Sequence, residues 1–433
     1  MPSYVIISYL APLTLFWVFY ARSRRNSERH AAAIHAASVD DGLTEPASLH
    51  PLIDPGRCMG CGACASACPE GQVIGLIGGK AKLVEGANCI GHGACKEACP
   101  FGAIALVFGT ERRGVDIPEV GKDFQTNVSG IFIAGELGGM GLIRNAVEQG
   151  RQAIDGIKAV ALRRAHATCD LMIVGAGPAG LAAGLAAKAA GLRFVIIEQE
   201  TFGGTVAHFP RGKIVMTQPI NLPLAGRMRF RQVTKERLLA FWGDVLQRHP
   251  LPICYGEILQ GITVESAGFS VISSAGTRQC ATVLLAIGRR GTPRKLDVPG
   301  EQLSKVVYRL DDPAQYRGKN VLVVGGGDSA LEAAADIADL PSTNVTLSYR
   351  GEAFSRAKAK NRRRVEEAAN FGRIDVRLVS RVLAIGRDAV EIETKGERQH
   401  IANDAVVVCA GGVMPKNLLE NIGIRMETKH GTQ

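Results

Sequence analysis

Hydrophobic and polar positions divide the chain into blocks of different period. Tyr4 to Tyr20, YVIISYLAPLTLFWVFY, is uncharged and is followed at once by Arg22, Arg24, Arg25 and Arg29. Such a run lies at the lower limit for a bilayer-spanning helix, its Tyr and Trp suit interfacial depth, and the basic residues on its C-terminal side place that side in the cytoplasm. A cleaved signal peptide would carry its positive charges before the apolar run. The expectation is a membrane anchor over residues 1–25, single-pass in the cytoplasmic membrane, with the polar, alanine-rich residues 26–50 as a linker. Further on, DLMIVGAGPAGLAAGLAAKAAGLRFVIIEQ, Asp170 to Gln199, reads as apolar strand, glycine-rich turn, alanine-rich helix and second strand. NVLVVGGGDSALEAAADIADL from Asn320, followed by NVTLSYRGEAFSR, repeats that order. A third piece, Thr126 to Ile157, predicts a strand over Ile131–Ala134, a glycine-rich turn and a helix from Ile143.

Composition narrows the class. A chain of 433 residues with 46% hydrophobic content and 51 glycines suits compact α/β structure in two or three domains. The net charge of +10 comes from scattered basic residues, and only 5% of residues are aromatic, so nucleic acid is not the expected partner. Seven of the 11 cysteines fall between Cys58 and Cys99, whereas Cys169, Cys254, Cys280 and Cys409 stand alone in apolar surroundings, as buried small hydrophobes do.

The clustered cysteines point to metal. CMGCGACASACPEG, Cys58 to Gly71, has the spacing C-x2-C-x2-C-x3-C-P, and CIGHGACKEACPFG repeats it from Cys89 with His92 in the second position. That spacing binds [4Fe–4S] clusters, whereas zinc sites pair their C-x-x-C units differently. Glycines between the ligands let backbone amides approach inorganic sulfide, and Pro69 and Pro100 end each turn.

The two strand-turn-helix units point to dinucleotides. Gly175, Gly177 and Gly180, with Pro178 and Ala179 between them, would let the backbone reach a pyrophosphate at a helix N-terminus, and Glu198 would accept ribose hydroxyls. In the second unit Gly325, Gly327 and Ala330 take the three small positions, with Asp328 and Ser329 opening the helix. Its following strand ends in Tyr349 and Arg350 rather than an acid, which favours a 2′-phosphate; Arg350 and Arg356 are the expected contacts, and NADPH the expected nucleotide.

Residues 50–108 resemble a two-cluster bacterial ferredoxin. Carried over by position, Cys58, Cys61, Cys64 and Cys99 would hold a complete first cluster, and Cys68, Cys89 and Cys95 most of a second. His92 either ligates the fourth iron, lies beside a three-iron cluster, or marks a lost site. Residues 170–430 resemble the thioredoxin-reductase-like flavoproteins. Besides the two glycine fingerprints, FGGTVAHFP (Phe202 to Pro210) looks like the flavin-contacting turn, assigning Gly203, Gly204 and Thr205, and LLAIGRRGTPRKLDVPG (Leu284 to Gly300) looks like the crossover between domains. The resemblance implies FAD on the first fold and NADPH on the second. The family's C-x-x-C pair is missing. Its closing Gly-Asp segment is also absent from the end of this chain, while Gly135 and Glu136 between the ferredoxin and Gly175 look like that segment displaced by circular permutation.

The expected fold class is therefore α/β, with two Rossmann-like domains for FAD and NAD(P)H preceded by a small α+β ferredoxin domain and a transmembrane helix. The expected domains are the anchor at 1–25, linker at 26–50, iron–sulfur domain at 51–110, displaced closing segment at 111–165, FAD domain at 166–290, NAD(P)H domain at 291–410 and a return to the FAD domain at 411–433. The expected function is a membrane-anchored oxidoreductase passing electrons from NADPH through FAD and two [4Fe–4S] clusters to a one-electron acceptor protein or membrane carrier, with a homodimer as a candidate assembly. A flavin-only thiol-disulfide or persulfide reductase and a carrier or redox-sensing subunit without turnover are the alternatives. No arrangement of Ser, His and Asp or paired carboxylates suggests hydrolysis, and His208 has no partner visible in sequence.

Overall fold

The computed structural model describes the chain apart from residues 1–2, 41–43, 47–48, 90, 92, 112–113, 140, 162–168, 217–218, 231, 290–291, 356 and 432–433, so the readings of His92 and Arg356 lie outside the described residues. Two compact units emerge, one comprising Met1–Gly114, Ala353–Ala359 and His430–Gln433, the other Val115–Glu352 and Lys360–Lys429.

The first unit opens with helix α1 (Ser3–Asp40), 38 residues long with Pro12 inside it. Its apolar part corrects the anchor reading, because among the described residues no helix is long and apolar enough to cross a membrane. The physical reason is length. Seventeen helical residues reach roughly 26 Å, short of the ~30 Å hydrocarbon core, and the same helix continues into Arg22, Arg24, Arg25, Glu28 and Arg29. The transmembrane helix and the single-pass membrane location are accordingly withdrawn. Residues 26–40, read as linker, continue α1 instead, and Ala31 packs on Gly75, where an added Cβ would come within 2.6 Å of the Ala31 methyl.

Past α1, strands β1 (His50–Ile53), β2 (Ile74–Ile77), β3 (Lys80–Leu83) and β4 (Ile104–Val107) form two antiparallel pairs, β1 with β4 and β2 with β3. Two short helices, α2 (Ala63–Ala67) and α3 (Ala94–Glu97), lie within the two copies of the cysteine motif, each begun by a left-handed glycine, Gly62 at φ 80° and Gly93 at φ 81°. The core of this unit joins Val73, Ile74, Ala81, Ala103 and Ile104 to the buried thiols of Cys58, Cys64 and Cys95.

The second unit starts with β5 (Val115–Pro118), β6 (Ile131–Ile133) and helix α4 (Ile143–Ala161), then β7 (Leu171–Val174), α5 (Pro178–Ala189) and β8 (Phe194–Glu198). A five-stranded parallel sheet runs in the order Ile253–Tyr255, β8, β7, Thr282–Leu285, β6. Its centre is buried on both faces, which is why Leu171–Val174 and Thr282–Leu285 carry no exposed position. Helices α4 and α5 pack so closely that a Cβ on Gly150 would overlap the Ala179 carbonyl. A second five-stranded parallel sheet runs Val306–Val307, Ala405–Val408, Asn320–Val324, Asn344–Tyr349, Ile374–Leu378. Thr292–Pro293 and Gly412–Val413 pair where the chain passes between the two sheets, and Met426–Lys429 pairs antiparallel with β5.

Candidate functional site

The first glycine turn is shaped by close backbone approach. Gly175 has φ 104°, and a Cβ there would sit 2.6 Å from the Ala286 carbonyl oxygen. A Cβ on Gly180 would overlap the Gly175 carbonyl, so this glycine lets α5 lie against the turn. Gly177 differs: an added Cβ would meet only the Gly204 Cα, at 3.8 Å, which leaves the N-terminus of α5 open behind Pro178. Gly203, at φ 102°, donates its N–H to the Ala176 carbonyl at 2.8 Å, drawing the turn Gly203, Gly204, Thr205 against the first. Glu198 is buried at the end of β8; its Oε2 accepts the Ala176 N–H at 2.6 Å and its Oε1 the Glu200 N–H at 3.0 Å. Gly135, at φ 87° and ψ −153°, donates its N–H to Gln149 Oε1 at 2.8 Å and lies over Ala179. Glu136 begins the following short 3-10 turn.

Two further groups at this end of the sheet had no local sequence signal. His208 Nε2 stands 3.0 Å from Glu200 Oε2, and Arg309 Nη1 stands 2.9 Å from His208 Nδ1 and 3.3 Å from Glu200. Because the guanidinium only donates, Nδ1 accepts and Nε2 carries the proton to Glu200. Burial pushes the His208 pKa down, against the pull of Glu200, which favours the neutral ring. Arg289 Nη2 donates to the Asp116 carbonyl at 2.9 Å, and burial lowers its pKa despite Glu136 and Asp116 nearby. His208 and Arg309 are 101 positions apart, which no motif could connect.

The second glycine turn repeats the geometry. Gly325 has φ 145°, where a Cβ would overlap the Cys409 carbonyl, and a Cβ on Gly326 would overlap the Tyr349 ring. Gly327 has nothing within 4 Å of its missing Cβ, leaving the N-terminus of the helix Asp328–Ala338 open. Asp328 Oδ1 accepts from Asn361 Nδ2 at 2.7 Å, Ser329 is exposed, and Ala330 is fully buried. Arg350 is exposed directly after Tyr349.

In the first unit Cys58, Cys61, Cys64 and Cys99 line one cavity together with Met59 and Phe101. The Sγ of Cys58 accepts the Ala81 N–H at 3.3 Å, and that of Cys99 the Ala103 N–H at 3.4 Å. Cys61 alone of this set is exposed, while Cys58 and Cys64 are buried. Among the described residues no group of three or more His, Cys, Asp or Glu side chains is arranged to hold a metal ion; the residues that would hold a [4Fe–4S] cluster are the four thiols that border this cavity in the spacing such clusters use. Cys68, Cys89 and Cys95 form a second neighbourhood: burial, then the thiols of Cys95 and Cys68, pushes Cys89 up to about 11. Iron would have to displace these protons, which couples cluster loading to pH.

Two glycine-cleared helix N-termini, each at the C-terminal edge of a parallel sheet, together with a cysteine-lined cavity define an oxidoreductase built for dinucleotides and iron–sulfur clusters. Residues 172–432 match the pyridine nucleotide-disulphide oxidoreductase family and residues 50–100 the 4Fe-4S dicluster domain. The chain belongs to the pyridine nucleotide-disulphide oxidoreductase family and carries a 4Fe–4S dicluster domain besides. It is 30% identical to a ferredoxin–NADP reductase of Thermus thermophilus over 60% of this chain and 77% of that protein. It is 31% identical to a ferredoxin–NADP reductase of Levilactobacillus brevis, of which it spans only 55% while 43% of this chain is matched. Bacilliredoxin reductase Bdr of Bacillus subtilis is 25% identical over 60% of this chain and 82% of its own length. Among solved structures, bacillithiol disulfide reductase Bdr from Staphylococcus aureus shares the fold with TM-score 0.53 and 24% identity, over 59% of this chain and 80% of that one.

Proposed function

We propose that the chain takes electrons from NADPH on FAD and delivers them through [4Fe–4S] clusters to a one-electron acceptor. The observation that carries this reading is the cavity ringed by Cys58, Cys61, Cys64 and Cys99 in the same chain as two open dinucleotide turns. Bound FAD accepts a hydride and releases electrons singly, and clusters accept them one at a time. Gly177 and Gly204 let their two turns meet closely at the N-terminus of α5, which would seat the FAD pyrophosphate, and Glu198, held at the turn by the Ala176 N–H, would accept its ribose hydroxyls. Gly135 and Glu136 would close the flavin side. Gly327 opens the second helix to NADPH. Support for a permuted flavoprotein comes from β6, which lies beside Thr282–Leu285, and from Met426–Lys429 on β5, which brings the last strand against the segment preceding β6.

Anaerobic titration with NADPH tests the reading. Flavin absorbance at the visible maximum should fall before cluster EPR signals appear; clusters that stay oxidised while flavin is fully reduced would defeat it. The Arg350→Ala variant should weaken NADPH by roughly 1.5–3 kcal/mol and leave NADH nearly unchanged, since only the 2′-phosphate distinguishes them. Equal losses in Kd for both nucleotides would assign Arg350 to the fold.

The 25% identity with bacilliredoxin reductase over 82% of its length favours a second reading, direct disulfide reduction by flavin. Burial pushes Cys280 up to about 12 and also raises Cys169, so neither thiol is activated for exchange.

A further inference from the structure

Helix α1 has no role in the reading above, yet it reaches the loop that carries the first cysteines. Arg24 Nη2 donates to the Gly60 carbonyl at 3.2 Å, and Lys80 Nζ donates to the Cys58 carbonyl at 2.6 Å. The loop also packs closely on the turn between β2 and β3: Gly60 has φ 64°, and a Cβ there would overlap the Gly79 carbonyl. Further along α1, Ala31 packs on Gly75 and His30 Nε2 lies 2.7 Å from Gln72 Nε2, which keeps Arg24 over the loop. Glu28 pairs with Arg24 at 3.5 Å and offsets part of its charge.

We propose that Arg24 and Lys80 are positioning residues that raise the reduction potential of the first cluster, so that electrons collect at the site whose ligand Cys61 is exposed. The proposal rests on the reading that Cys58, Cys61, Cys64 and Cys99 hold that cluster. Reduction adds one negative charge to the cluster and changes no bond, so two cations on the carbonyls of its ligand loop favour the reduced form. The exposed Cys61 then makes this cluster the point of departure, and the acceptor is a one-electron carrier that approaches from solvent on the Cys61 side.

The test is an EPR-monitored redox titration of the full chain, with iron and sulfide content measured on each variant. Lys80→Gln combined with Arg24→Gln should shift the reduction equilibrium of the first cluster about tenfold toward the oxidised form, which is about 59 mV for one electron. Arg24→Lys and Lys80→Arg should restore the wild-type value. Glu28→Gln should move the potential the opposite way, upward, a sign that a loosened helix would not produce. An unchanged potential in the double variant with its iron retained, or a downward shift in Glu28→Gln, overturns the proposal. A wild-type protein that binds no cluster at Cys58, Cys61, Cys64 and Cys99 overturns the functional reading and this one with it.

Discussion

Cys61→Ser is expected to leave NADPH reduction of the flavin at its normal rate while lowering electron delivery to a one-electron acceptor by more than about 100-fold. The magnitude follows from position. Changes one shell away from a metal cost about 10- to 100-fold in affinity or activity, and Cys61 is itself one of the proposed ligands, with Cys58, Cys64 and Cys99 around one cavity. Serine keeps the size of the side chain but offers a poorly matched oxygen to iron. Because Cys61 is exposed and Cys58 and Cys64 carry the core, the substitution removes a ligand without removing packing. Stopped-flow absorbance for the flavin and cytochrome c reduction for delivery separate the two steps. A cluster-depleted Cys61→Ser protein that reduces cytochrome c at the wild-type rate would place the clusters off the path and favour direct reduction by flavin.

Gly177→Val is expected to abolish flavin retention in a folded protein. The backbone there has φ −74° and ψ −174°, an extended conformation that valine adopts without strain, and its Cβ would meet only the Gly204 Cα at 3.8 Å. The isopropyl group would project toward Gly204 and wedge the turn Gly203, Gly204, Thr205 away from the N-terminus of α5, where the phosphates would need direct backbone contact. Overpacking that seat should cost about 3 kcal/mol or more, which is beyond a hundredfold in affinity. Gly180→Ala provides the contrast, since its Cβ would overlap the Gly175 carbonyl and so strike the fold itself. The flavin-to-protein ratio after purification, circular dichroism and Tm distinguish the two. Full flavin occupancy in Gly177→Val would show that the pyrophosphate lies elsewhere.

Both predictions use information that is local in the chain. Three glycines spaced over one turn, or three cysteines spaced over another, must be neighbours in space whatever the rest of the protein does, because short chain segments have few conformations. The order strand, turn, helix, strand is local in the same sense: apolar runs such as Leu171–Val174 can be satisfied only inside a parallel sheet covered on both faces. That much of the fold and of the two nucleotide turns is legible from residues alone.

The hydrophobic pattern misled where two environments share one composition. An apolar run of 17 residues suits a short membrane span or one end of a longer helix, and only the structure shows it continuing as α1 through Arg22, Arg25 and Arg29 to Ala31, with no helix among the described residues long and apolar enough to cross a membrane. Tertiary structure alone also set the groups that meet from distant positions. Arg309 reaches His208 and Glu200 across about a hundred residues, Met426–Lys429 finds β5 across some three hundred, and Arg24 finds Gly60 across 36. The reason is physical: spacing dictates what adjacent residues can do together, but an ion pair or a strand neighbour far along the chain depends on how whole elements pack. The sequence by itself determined the chemistry available at each turn; the packing of those turns determined which residues surround it.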